Sequence, residues 1–228
     1  MFLQHYNMFL EVMKLPRAEL HFAEWIDPAD IKATYRNYTK PHPRYKIIGH
    51  KTIGAALVDL SAYPDRNAYL DAIKGKNQGA YHAKRARSRG YVVCEINRND
   101  YVDDIHAINT SLDTRQGRPM DQKYTEKTHQ FDQQNHFRYW GVLNPEGKLV
   151  AYASLGIYGN FASFSQMMGI RNNDGIMHLL LSEAICQLID AGEVRYVMYD
   201  TFFGAQPGLR NFKTILGFRP YRASYSLQ

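Results

Sequence analysis

The stretch Gly208-Leu209-Arg210-Asn211-Phe212-Lys213-Thr214-Ile215-Leu216-Gly217-Phe218 constrains this chain more than any other. Leu209, Phe212 and Leu216 recur at helical spacing and predict a short amphipathic helix. Gly217 stands where a left-handed C-cap would close it, and an aromatic strand over 221–226 follows at once. Helix, glycine and final strand thus form one continuous signal.

The rest of the chain extends that pattern towards the N-terminus. Asp174 to Ala191 carries Ile176, Leu179, Leu180, Ala184, Leu188 and Ile189 at helical spacing, with Gly192 as its cap. Val194 to Phe202 reads as a buried strand, 161–170 as another, and 138–143 with 148–154 as a hairpin around Asn144-Pro145-Glu146-Gly147. Before these come a strand over 91–96 and a helix from Asp100 to Leu112, with Val102, Ile105, Ala107 and Ile108 as its inner face. Helices are expected over 65–73 and from Gln78 to Ser88. A further one runs from Pro28 to about Tyr38, with Asp27 as N-cap and Pro28 at its first position. Tyr45 to Ile48 and Ala55 to Leu60 are strand candidates, and the prolines at 16, 28, 41 and 43 break every long pattern before residue 50.

At 228 residues the chain can bury one substantial core, or one core with a small appendage. Its 45% hydrophobic and 22% charged residues are those of a soluble globular protein. No apolar run approaches the roughly 18 residues that span a bilayer, so membrane insertion is not expected. The first 15 residues lack the basic-then-apolar layout of a secretory signal, and the chain reads as cytoplasmic. Cys94 and Cys186 stand far apart without ligand spacing, which argues against a disulfide scaffold and a zinc site. His129, Asp132 and His136, or His42 with His50, match no standard metal site, and no metal is expected. No Gly-x-Ser-x-Gly nucleophile turn is present. A net charge of +6 suggests a polyanionic partner.

A helix ending in Leu216-Gly217-Phe218 and running into a last strand resembles the C-terminal signature of GNAT-fold acyltransferases. Ordinary members usually carry Tyr four residues before that glycine. Here the position is Lys213, as in the FemABX aminoacyltransferases and their relatives. The element order from residue 91 agrees with this resemblance. The expected fold is therefore α+β, a mixed, largely antiparallel central sheet flanked by helices. Residues 76–228 would form the GNAT-like domain, and residues 1–75 an N-terminal extension whose place as lid, interface or part of the sheet is open.

The resemblance also assigns roles. Helix N-termini offer free N–H groups to phosphate, and GNAT enzymes hold the coenzyme A pyrophosphate there through a Q/R-x-x-G-x-G/A loop. Arg171 matches its first position, while Asp174 and Ile176 stand at the two glycine positions. Met168, Gly169, Ile170, Arg171, Asn173 and Gly175 are accordingly the candidate cofactor-binding residues, with Asp174 either a repellent of phosphate or a plain N-cap. The resemblance puts Lys213 at the reacting acyl group, where an ammonium stabilises an oxyanion; a cation near a helix C-terminus is equally favourable to the dipole.

Tyr199 and Asp200, at the C-terminal end of a buried strand, could orient an amine or take its proton, or Asp200 could cap the following loop. Arg115 and Arg118 in the polar loop 109–120, punctuated by Gly117 and Pro119, and Phe203 are candidate acceptor-binding residues. Lys84, Arg85, Arg87 and Arg89, near Lys74, Lys76, Tyr81 and His82, form a basic helix that is either a solvated face or a site for nucleic acid. The expected function is N-acyl transfer from acyl-CoA, as co-substrate, to a primary amine acceptor. The alternatives are aminoacyl transfer from tRNA, as in FemABX proteins, and a non-catalytic nucleic-acid-binding module.

Overall fold

The computed structural model describes residues 12–43, 46, 48–115 and 118–228. Ten strands and seven α-helices that lie wholly within the described residues follow one another. They are β1 (Arg17–Phe22), α1 (Pro28–Thr39), β2 (Ile53–Asp59), α2 (Arg66–Ala72), α3 (Gly79–Ser88), β3 (Val92–Glu95), α4 (Val102–Asn109), β4 (Thr114–Arg115), β5 (Arg118–Pro119) and α5 (Gln122–Thr125). Then come β6 (Phe137–Leu143), β7 (Leu149–Ile157), β8 (Phe161–Gly169), α6 (Ile176–Ala191), β9 (Tyr196–Thr201), α7 (Pro207–Ile215) and β10 (Arg219–Leu227). Eight strands form one open sheet in the order β1-β10-β2-β9-β8-β7-β6-β3. With helices flanking it, this is the mixed, largely antiparallel α+β architecture expected from the sequence.

Two compact units divide the chain. One comprises the residues through Ala62 together with Ile157–Ser163 and Glu193–Gln228. In it β1 runs parallel to β10, β2 lies antiparallel to both β10 and β9, and the start of β8 runs parallel to β9. Strands β1 and β2 of the N-terminal segment are therefore members of the sheet. The sequence of β1, Arg-Ala-Glu-Leu-His-Phe, alternates polar and apolar residues, and Ala18, Leu20 and Phe22 are buried. That period-two signal was legible, but the neighbouring Pro16 masked it.

The core of this unit is aromatic. Phe22 packs against Tyr35, Tyr38, Tyr158, Phe161 and Tyr225 with ring centroids 5.0–6.0 Å apart. Helix α1 begins as expected, with the Asp27 carboxylate accepting from the Asp30 N–H at 3.1 Å and Pro28 in the first turn. Of the strand candidate 45–48, Tyr45 and Ile47 lie outside the described residues.

The second unit comprises Tyr63–Gly156 and Phe164–Gly192. Its core gathers Ile105, Ile108, Tyr124, Leu149, Tyr152 and Met168. Helix α4 turns Ile105 and Ile108 inwards, while Ala107, expected on the inner face, is exposed. Ala107 sits two residues after Ile105, about 200° round the helix, so it cannot share that face. Helix α3 buries Ala83 and Ala86, whose small side chains bring its backbone close to α6.

Candidate functional site

Helix α7 ends as the sequence predicted. The Phe218 N–H donates to the Lys213 carbonyl and the Gly217 N–H to the Thr214 carbonyl, both at 3.0 Å, with Gly217 at φ +86°. These two bonds form a Schellman motif, which satisfies carbonyls the helix end leaves free. The buried side of the helix, however, is Lys213, Ile215 and Leu216, with Leu209 and Phe212 half-buried. Lys213 therefore faces inwards rather than out to solvent, and only 1% of it is exposed.

The Lys213 ammonium donates to the Thr201 carbonyl at 2.8 Å and lies 4.4 Å from the centroid of the Tyr199 ring. Burial pushes its pKa down to about 8; Asp200 opposes the shift and Lys51 reinforces it. A lysine so placed is mostly protonated at pH 7 and mostly neutral by pH 9. Tyr199, expected to assist proton removal, supports the ammonium with its ring face and meets Phe218 edge-on at 5.8 Å.

Asp200 forms an ion pair with Lys51 at 2.5 Å. Partial desolvation by its neighbours opposes ionisation, but Lys51, Lys213 and His50 outweigh it and hold the carboxyl below the usual range. The carboxylate is thus ionised and engaged, with 59% of the side chain still exposed. Lys51 escaped the sequence reading because it lies in an irregular segment without a motif. Only the insertion of β2 between β10 and β9 brings it to Asp200. Phe203 is exposed, and the Phe202 N–H continues the ladder by donating to the Gly54 carbonyl at 2.6 Å.

In the second unit, β8 leads into α6 through Ile170–Gly175. Met168 points into the core, and the Ile170 N–H donates to the Val150 carbonyl at 2.9 Å. Ile170 therefore has no free N–H to offer an oxyanion. Arg171 and Asn173 are exposed. The N-cap of α6 is Gly175 at φ +89°, with no side-chain cap bond, so Asp174 is not the cap. A Cβ on Gly175 would lie 2.5 Å from the His82 carbonyl oxygen, so only glycine fits there. The Asp174 carboxylate instead pairs with Arg89 and accepts from the Tyr91 hydroxyl at 2.7 Å. Its charge is compensated, which lessens its repulsion of an anion at the first turn. His178, in that turn, packs at a tilt against His82 with ring centroids 4.5 Å apart. Burial, then His82 and Arg85, lower its pKa to about 4, so it stays neutral.

The basic helix α3 is largely spent within the unit. Arg85 donates to the Asn173 carbonyl, Arg87 pairs with Glu183, and Arg89 with Asp174; Lys84 is exposed. Glu183 also accepts from Arg66 of α2 at 3.0 Å, so its carboxylate ties three helices together. Arg115 and Arg118 belong to the short β4–β5 ribbon. Their side chains, with Gln116 and Gly117, lie outside the described part. Among the described residues, no helix is long and apolar enough to cross a membrane and no group of three or more metal-ligating side chains gathers.

No family model matches the chain, and no curated protein matches it. Solved structures do. The C-terminal domain of a protein described as a lysylphosphatidylglycerol synthetase from Agrobacterium fabrum is 18% identical. The match covers 73% of this chain and 57% of that one, with a TM-score of 0.51. FemX is 11% identical, covering 74% of this chain and 59% of its own, with a TM-score of 0.52. A conserved protein of unknown function from Bacteroides thetaiotaomicron VPI-5482 is 16% identical, covering 73% and 56%, with a TM-score of 0.52. The chain thus spans less than three fifths of each of these neighbours. Strand order, the capped α7 running into β10 and this likeness together make the fold of the chain a GNAT fold, of the kind it shares with FemX.

Proposed function

We propose that the chain is an N-acyltransferase that moves an acyl group from acyl-CoA to a primary amine. The observation that carries this reading is Lys213. A buried ammonium bonded to a neutral carbonyl keeps its full charge in a setting of low dielectric, where it acts strongly on a developing oxyanion. In the reaction the amine lone pair attacks the thioester carbonyl and a C–N bond forms. The carbonyl oxygen becomes anionic, the C–S bond then breaks, and the nitrogen's proton passes to solvent while coenzyme A leaves as its thiol. Lys213 stabilises the oxyanion, and the Asp200 carboxylate attracts the acceptor's amine. The start of α6 with Arg171 suits the donor's phosphates, since Gly175 leaves the first turn without a capping side chain and Arg89 offsets the charge of Asp174.

A second reading, aminoacyl transfer from tRNA, draws on Lys213 at the FemABX position and on the likeness to FemX. Against it, three of the four cations of α3 and its C-cap, Arg85, Arg87 and Arg89, are already engaged. The same fact counts against a pure nucleic-acid-binding module.

Thermal unfolding with acetyl-CoA, free coenzyme A and bulk tRNA separates these readings, because a ligand of the folded state raises the midpoint with its occupancy. A rise with the coenzyme A species is expected. A rise with tRNA alone would replace the acyl-CoA donor by an aminoacyl one, and no rise with any of the three would remove the donor site. Relative to Lys213→Met, in which only the acceptor's amine titrates, the parent's turnover should fall as pH passes about 8, where Lys213 loses its proton. A parent rate that climbs through that range more steeply than the variant's would make Lys213 a base and overturn its oxyanion role.

A further inference from the structure

The pairing of β2 with β9 contains one extra residue. Leu57 faces Met198 and Ala55 faces Thr201, so Tyr199 and Asp200 together stand opposite Ala56. This is a β-bulge, a device that bends a strand and re-aims the side chains beside it. Asp200 supplies the bend with φ +52°, in the left-handed region that non-glycine residues seldom occupy. The groups that touch the Lys213 ammonium or offset its charge come from the two bulge residues and the residue after them. Tyr199 offers its ring face, Asp200 the nearby charge and Thr201 the carbonyl.

Lys51 is held independently of that bulge. Its N–H donates to the Tyr38 carbonyl at 3.1 Å, and its own carbonyl accepts from the Tyr225 hydroxyl at 2.9 Å. Its aliphatic stem leaves only 16% of the side chain exposed, and its ammonium lies 5.0 Å from the Tyr38 ring centroid as it reaches Asp200. A backbone pinned on both sides makes it a fixed post. We propose that Lys51 is a positioning residue for Lys213: by engaging Asp200 it locks the bulge that turns Tyr199 and the Thr201 carbonyl onto the Lys213 ammonium.

The physical reason is competition for one carboxylate. Asp200 is the anion close to two ammonium groups, and an ammonium's bond to a carboxylate, with both partners charged, is stronger than its bond to a neutral carbonyl. Without Lys51, Asp200 would relax from its left-handed conformation and pair with Lys213, drawing the ammonium from Thr201 and neutralising it. With Lys51 present, Lys213 keeps a charge free to meet a developing anion. The inference rests on the reading of Lys213 as the charged group of the reaction.

The test reads the position of Lys213 directly and needs no turnover, so it can fail separately from the acyltransferase reading. In protein labelled with 13C-lysine, the Lys213 Hε–Cε signal is assigned by its loss in Lys213→Met. Its proton shift is displaced by the Tyr199 ring. In Lys51→Met that displacement should disappear and the Lys213 pKa should rise from about 8 towards its ordinary 10.5, whereas Lys51→Arg should keep both near the parent. Asp200 of β9 and Lys51 before β2 act on this titration directly; His50, Tyr38 of α1 and Tyr225 of β10 are coupled to Asp200, and the Tyr199 ring faces the ammonium. An unchanged ring displacement in folded Lys51→Met overturns the proposal, even if the pKa moves, because charge alone would then explain Lys51. Should that variant fail to fold, Asp200→Asn decides. Loss of the ring displacement is expected, and its retention overturns the lock.

Discussion

Two regions of this protein carry clusters of cations, and they use them in opposite ways. Along α3 and at its C-cap, Arg87 and Arg89 pair with Glu183 and Asp174, so these two charges are answered by carboxylates, while Arg85 donates to the Asn173 carbonyl at the surface. At the end of β9, two ammonium groups share the single carboxylate of Asp200, and Lys213 is left on a neutral carbonyl inside the protein. By composition the first looks like a polyanion site and the second like a helix-dipole contact. The geometry reverses that impression. Charges that are compensated stabilise structure, whereas a buried charge left uncompensated lowers stability and is explained by use.

The largest expected effect breaks the second region. Lys213→Ala should lower the turnover rate by about 10²–10³-fold, the loss typical of one oxyanion donor, with circular dichroism unchanged. If a folded variant keeps full activity, the uncompensated charge has no catalytic use.

The next tests whether the first region is structural. Gly175→Ala forces a left-handed alanine against the His82 carbonyl and should cost about 2–4 kcal/mol in urea unfolding. A cost near zero would mean that the α3–α6 approach is soft rather than fixed.

Lys213→Met sharpens the contrast through pH. The folded pKa of Lys213, about 8, lies below its unfolded value of 10.5, so folding resists its protonation. The penalty is complete below pH 8 and fades as pH rises to about 10.5. Losing the Thr201 bond offsets part of the gain, so the variant should be more stable by about 2 kcal/mol at pH 7. That advantage should vanish near pH 10. Destabilisation at pH 7 would instead make Lys213 a structural element.

The smallest effect is that of Asp174→Asn, whose partner Arg89 is half-exposed. Stability should change by at most about 1 kcal/mol, while the rise in unfolding midpoint given by coenzyme A should grow. A smaller rise would mean that Asp174 organises the first turn rather than opposing the anion.

Much of this fold was legible from local chemistry. Asp27 and Pro28 announce α1, Gly192 and Gly217 close α6 and α7, and the Asn144–Gly147 turn joins β6 to β7, each because a short-range backbone need selects the residue type. Ala107 misled because an alanine fits either face of a helix. Lys213 was found by its spacing from Gly217, but not its burial, since a lysine near a helix end ordinarily reaches water. Neither Lys51 nor the bulge could be found that way.

The sequence by itself determined the elements, their caps and the place of Lys213 one turn before a glycine, because these depend on interactions within a few residues. The tertiary structure decided the sheet order, the membership of β1 and β2 in it, and the meeting of Lys51, Asp200 and Lys213. Those depend on pairing between segments some 150 residues apart. There register and charge are settled by which strand fits beside which, and no local pattern records that choice.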